Sequence, residues 1–141
     1  RGIWIQRQNF VCRSIIVENN TVTDNNGPGI GVSSVGAADQ NTGHVIRNNT
    51  VSGNRETGIQ VAFARGVLVE NNVVGPQVND GLTYGIQGVG SQAWVVRNFA
   101  YGNSNDYSYS ASADTRGPTV TTSGQLSTNG VDAHPWANFS R

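Results

Sequence analysis

His44–Asn72, HVIRNNTVSGNRETGIQVAFARGVLVENN, decides how the chain is read. It holds a Gly before a short apolar alternation, Gly58-Ile59-Gln60-Val61. It also holds a β-branched run ending in an Asn turn, Val67-Leu68-Val69-Glu70-Asn71-Asn72. The first landmark recurs as Gly2-Ile3-Trp4-Ile5, Gly29-Ile30-Gly31-Val32 and Gly85-Ile86-Gln87-Gly88, with steps of 27, 29 and 27 residues between successive copies. The second recurs as Val17-Glu18-Asn19, Ile46-Arg47-Asn48 and Val96-Arg97-Asn98, with steps of 29, 23 and 27. Self-similarity at this period means one small unit stacked on its own copies.

Each unit carries about three short strands bounded by Gly and Asn turns, and no stretch sustains a 3.6-residue apolar period. The expected fold is therefore all-β, a parallel β-helix (solenoid) of about four to five rungs with an irregular C-terminal tail. Residues 1–103 would form the rungs, with repeats starting near 2, 29, 58 and 85, and residues 104–141 a final strand and a capping or donated tail. Rungs would stack at about 4.8 Å.

Stacking predicts columns of like residues. Ile3, Ile30, Ile59 and Ile86 should point inward on one sheet, with Ile5, Val32, Val61 and Gly88 beside them. Val17, Ile46, Val69 and Val96 should line a second sheet, and Val22, Val51, Val74 and Tyr101 a third. Asn19, Asn48, Asn71 and Asn98 fall at the turn after the second strand, where amides can bond their counterparts above and below and satisfy turn backbone.

Outward positions carry a second pattern. Glu18, Arg47, Glu70 and Arg97 alternate in sign, so each charge sits between opposites. Exposed pairs are worth only about 0–1 kcal/mol each, so this ladder sets register rather than supplying stability. On the same face, Ile16, Val45, Leu68 and Val95 form an apolar stripe that needs a cover, either the chain's own tail or another subunit. Trp136 and Phe139 are the apolar anchors of the otherwise polar tail. Trp4, Gln60 and Gln87 would project from the first sheet, an aromatic plane with amides that could meet a pyranose face. The longest insertion, Ser33 to Gly43, reads as a polar surface loop.

Composition narrows the function. Nine basic residues, all Arg, balance nine acidic ones, which argues against nucleic acid and against an anionic membrane surface. No apolar run is long enough to insert in a membrane. Cys12 is alone, so no internal disulfide forms, and it reads as a small buried hydrophobe. The first residues already look like the middle of a repeat, and the chain is expected to be a piece of something longer.

These features resemble the right-handed parallel β-helix repeat proteins of bacteria. Asn48–Val61, NNTVSGNRETGIQV, looks like the common repeat of that superfamily, and the ending GPTV…HPWANFS resembles the terminus of a group of secreted members. The resemblance implies right-handed winding and an extracellular or cell-surface location. The superfamily hosts lyases, hydrolases, epimerases and adhesins, so the fold alone does not fix a function.

Catalytic patterns are thin. Asp24, Asp39, Asp80, Asp106, Asp114 and Asp132 are scattered, whereas a glycosidase needs two carboxylates across one cleft. Gly43-His44-Val45 departs from the Gly-His-Gly of the superfamily's hydrolases, and Lys, one common lyase base, is absent. Arg47 separates Glu18 from Glu70 and would neutralise them before a metal could. No metal or other cofactor is expected. His44 and His134 read as structural. Asn19, Asn48 and Asn138 match the glycosylation acceptor pattern; with the first two assigned to the ladder, Asn138 is the acceptor. The favoured expectation is a non-catalytic extracellular scaffold that stacks head-to-tail with other copies into a filament or surface layer. The alternative is the C-terminal part of a carbohydrate-active enzyme, or a glycan-binding adhesin whose partner is a polysaccharide.

Overall fold

A computed structural model describes residues 1–6, 11–34, 41–79, 81–110, 115–121 and 134–140. Most of the Ser33–Gly43 insertion lies outside this set. Rung one contributes β1 (Ile3–Gln6), β2 (Ile16–Glu18) and β3 (Thr21–Thr23), and rung two β4 (Ile30–Ser33), β5 (Val45–Arg47) and β6 (Thr50–Ser52). Rung three has β7 (Thr57–Ala62), β8 (Arg65–Glu70) and β9 (Val73–Val74), and rung four β10 (Tyr84–Val89), β11 (Gln92–Val96) and β12 (Phe99–Ala100). Then come β13 (Asn105–Tyr109), β14 (Thr115–Arg116), β15 (Thr119–Thr121) and β16 (Asn138–Ser140). Among the described residues there is no helix.

Three parallel sheets result, in the orders β1-β4-β7-β10-β13, β14-β11-β8-β5-β2 and β15-β16-β12-β9-β6-β3. Like stands on like because each side chain packs on its equivalent one rung away. Ile3, Ile30, Ile59 and Ile86 are in register on the first sheet, and Tyr107 of β13 continues the column. Ile30, Ile59 and Ile86 are fully buried. Tyr109, on the same face of β13 as Tyr107, follows Gly88.

The expected columns of the second and third sheets slip by one residue in rung four. Gln92 pairs with Arg65 and Ala93 with Val67, so Gly66 is skipped. Gly66 has φ +59° and is the extra residue of a β-bulge. Val95, not Val96, therefore continues the inward column of Val17, Ile46 and Val69. Val95 is 1% exposed, and the outward stripe placed on it ends instead in Trp94. On the third sheet Ala100, not Tyr101, follows Val74.

The Asn column is corrected for the same reason. Asn19, Asn48 and Asn71 are the turn residues themselves, with φ between +53° and +59°. Asn tolerates this left-handed conformation better than other side chains. Rung four puts Arg97 there, at φ +56°. The ladder runs through the next residue: Asn20, Asn49, Asn72, Asn98 and then Asn138 of the tail. In each step one amide oxygen accepts from both the backbone N–H and the side-chain N–H of the rung before, as Asn72 Oδ1 does from Asn49 at 3.0 Å each.

Rungs also fit by a large group lying on a glycine of the next rung. A Cβ on Gly31 would overlap the Trp4 ring, and one on Gly53 the Asp24 carboxylate. The same holds for Gly90 under Phe63 and for Gly102 under Pro76.

Candidate interaction surface

The second sheet's outer face gathers most of the predicted surface residues. Strand alternation sends Val17, Ile46, Val69 and Val95 inward and leaves Ile16, Val45, Leu68 and Trp94 in one outward register. Ile16 is 55% exposed and Trp94 57%. From the tail Trp136, 55% exposed, joins Leu68, Trp94 and Val96 around a groove of about 240 Å³, rimmed by Glu70 and Arg97. Phe139, expected with Trp136 at an interface, lies elsewhere. It pairs with Phe99 on the third sheet.

Beside the stripe, Arg47 Nε donates to Glu18 Oε2 at 2.7 Å and Arg97 Nη2 to Glu70 Oε2 at 2.5 Å. Arg47 and Glu70 are adjacent in register. Because of the bulge Val96 occupies the strand position opposite Glu70, and Arg97 reaches its partner from the turn. The alternation of sign survives; the fourth charge is off the strand.

Sequence reasoning missed a second amide ladder. Asn25 donates to Asn54 Oδ1, Asn54 to Gln77 Oε1 and the Gln77 backbone N–H to Asn103 Oδ1. Each of these residues stands five positions after a member of the first ladder, a spacing visible in the sequence. Asp106 ends the series, accepting from the Asn103 backbone and side chain and from Ser140 Oγ. Nearby, Asp24, Asn26, Arg55, Val78 and Asn79 line an open cleft of about 470 Å³.

His44, Cys12 and Tyr107 are built into or against the core. His44 is fully buried, with Nδ1 accepting from the Ile15 backbone N–H at 3.2 Å. Burial holds its imidazole below the ordinary value, partly opposed by the Cys12 backbone. Cys12 packs half-buried against the core. Tyr107 Oη donates toward the Asn98 and Phe139 carbonyls at 2.8 and 2.9 Å, tying β13 to the tail, and burial beside Tyr109 and Asp106 pushes its pKa up. Trp4, Gln60 and Gln87 share one outward register on the first sheet, with Gly31 between the first two. Gln60 donates to Gln87 at 2.9 Å, and the Arg1 guanidinium lies 4.2 Å from the Trp4 ring centre.

Asn138, expected to be a glycosylation acceptor, is fully buried. Its Nδ2 bonds the Val95 and Gly117 carbonyls and its Oδ1 accepts from Asn98. Asn19 and Asn48 are the exposed members of that pattern. Among the described residues no group of three or more His, Cys, Asp and Glu could hold a metal ion. Among the same residues no helix is long and apolar enough to cross a membrane.

Three parallel sheets coiled about one apolar core, with asparagine ladders at the corners, define a parallel β-solenoid. The family model described as right handed beta helix region matches residues 1–130, and the chain belongs to that family. The winding is thus right-handed, as the resemblance implied. No curated protein and no solved structure gave a match.

Proposed function

We propose that the chain is a non-catalytic structural module, extracellular or at a cell surface, that works by assembling with other copies. One observation carries this reading. The buried amides of the corner ladder, with Asp106 and Tyr107 at its end, are occupied in holding rungs to one another. Asn49, Asn72, Asn98 and Asn138 each bond two neighbouring layers. The Asp106 carboxylate meets three donors and the Tyr107 hydroxyl meets two carbonyls. A general base or nucleophile needs a lone pair directed at substrate, and these are directed at the protein.

Assembly along the coil axis has a defined geometry. β1, β2 and β3 each stand at the edge of their sheet. Whatever adjoins them, preceding chain or another copy, must offer a matching rung whose N–H groups continue the ladder onto Asn20 Oδ1. The test is incubation with polyuronates and neutral glycans, with and without calcium, alongside electron microscopy. Ordered particles or fibres and unchanged polysaccharides are expected. Turnover of any polysaccharide sinks the reading.

A further inference from the structure

The outer face of the second sheet has an order that fits a copy of itself. Along the coil its charges run Glu18, Arg47, Glu70, Arg97, negative, positive, negative, positive. Beside them run Ile16, Val45, Leu68 and Trp94. Rotate a second copy by 180° about an axis parallel to the strands and lay the two faces together. Position along the strand is preserved while the order of rungs reverses. Glu18 then faces the second copy's Arg97, Arg47 faces its Glu70, and every contact is between opposite signs. A two-fold axis parallel to the coil instead keeps the rungs level and offsets the charge rows, so that relation gains nothing from the alternation.

Shape follows the same reversal. Val45 meets Leu68, and Ile16, 55% exposed at one end, meets the groove of about 240 Å³ that Trp94 and Trp136 flank at the other. Net charge is zero, so two copies carry no overall repulsion. Sheets pack face to face at about 10 Å, within reach of these side chains.

We infer that this face is an isologous dimer interface, a second copy packing antiparallel with Ile16 seated between the Trp94 and Trp136 rings and the four charges paired across the two-fold axis. The pairing rests on the structural reading above and specifies its lateral contact.

Sedimentation of the full chain tests it. A dimer is expected at micromolar concentration, and Ile16→Asp is expected to weaken it more than about tenfold, since it buries a charge between indoles. Glu18→Arg sets like charges face to face and should weaken it similarly. The double variant Glu18→Arg with Arg97→Glu restores opposite signs across the axis although both intrachain pairs are lost. Recovery of the dimer in that variant is the signature that a purely intrachain role would not give. All three substitutions lie at exposed positions, and circular dichroism checks that each folds. A chain that is monomeric at about 100 µM overturns the interface, as does a dimer indifferent to Ile16→Asp. Fibres of copies stacked end to end with Ile16 still exposed would overturn the pairing while leaving the structural role in place.

Discussion

Asn72 Nδ2 donates to Asn98 Oδ1 at 2.9 Å, and the same nitrogen donates back to the Ile46 carbonyl at 3.0 Å. One amide thus bonds the layers on both of its sides. Asn72→Ala removes those donors and also the oxygen that Asn49 uses, leaving several buried partners unmet. The expected loss is about 2–4 kcal/mol, from unsatisfied groups at about 1–3 kcal/mol each. Asn71→Ala, one residue away on the surface, should lose only about 1–2 kcal/mol, from left-handed backbone. Urea unfolding of the two variants measures the contrast, and equal losses would contradict the ladder's position.

Two glycines separate space from conformation. Gly31→Ala puts a methyl into the Trp4 ring, so it should destabilise by about 1–3 kcal/mol and shift tryptophan fluorescence as the ring is displaced. Gly66→Ala meets no heavy atom closer than 3.8 Å but must hold φ +59°. Its loss should be about 1–2 kcal/mol with the fluorescence unchanged.

Acid should act through His44. Burial holds its folded pKa below the ordinary imidazole value of about 6.5, so protonation favours the unfolded chain. This contribution to stability is complete above about pH 6.5 and is lost as pH falls through the lowered folded value. Thermal unfolding followed across that range should show the decline. His44→Leu keeps the side chain apolar and should flatten the slope, at a loss of about 1 kcal/mol for the missing acceptor of the Ile15 N–H.

Glycan attachment gives a simple readout of the turn. Expressed in a host that modifies Asn-x-Ser/Thr sites, the folded chain should carry glycan at Asn19 or Asn48 and not at Asn138. Peptide mass spectrometry reads this directly; occupancy of Asn138 in folded protein would contradict its burial.

The first sheet was legible because Gly2, Gly29, Gly58 and Gly85 keep constant phase with the isoleucines that follow. The second and third were legible only to rung three. Asn19-Asn20, Asn48-Asn49 and Asn71-Asn72 are doublets, while Asn98 stands alone, and spacing cannot say which member it matches. Volume could have decided it. Matching Asn98 to Asn71 sets Trp94 inward over Val67, where the column holds Ala93, and an indole there would overfill a narrow core. Gly66 inside a β-branched run was the other visible sign of a bulge. The place of β16 between β12 and β15 was not legible, because nothing in Asn138-Phe139-Ser140 says which strands it separates.

The glycines under Trp4, Asp24, Phe63 and Pro76 all belong to even-numbered rungs, and the groups above them to odd ones. Glu18 and Glu70 likewise sit in odd rungs, Arg47 and Arg97 in even ones. The order of charge in this coil therefore repeats every two rungs. A graft that adds one rung alone would set acid beside acid, whereas one that adds two keeps the order of charge, so lengthening this coil by pairs of rungs should cost less than lengthening it by one.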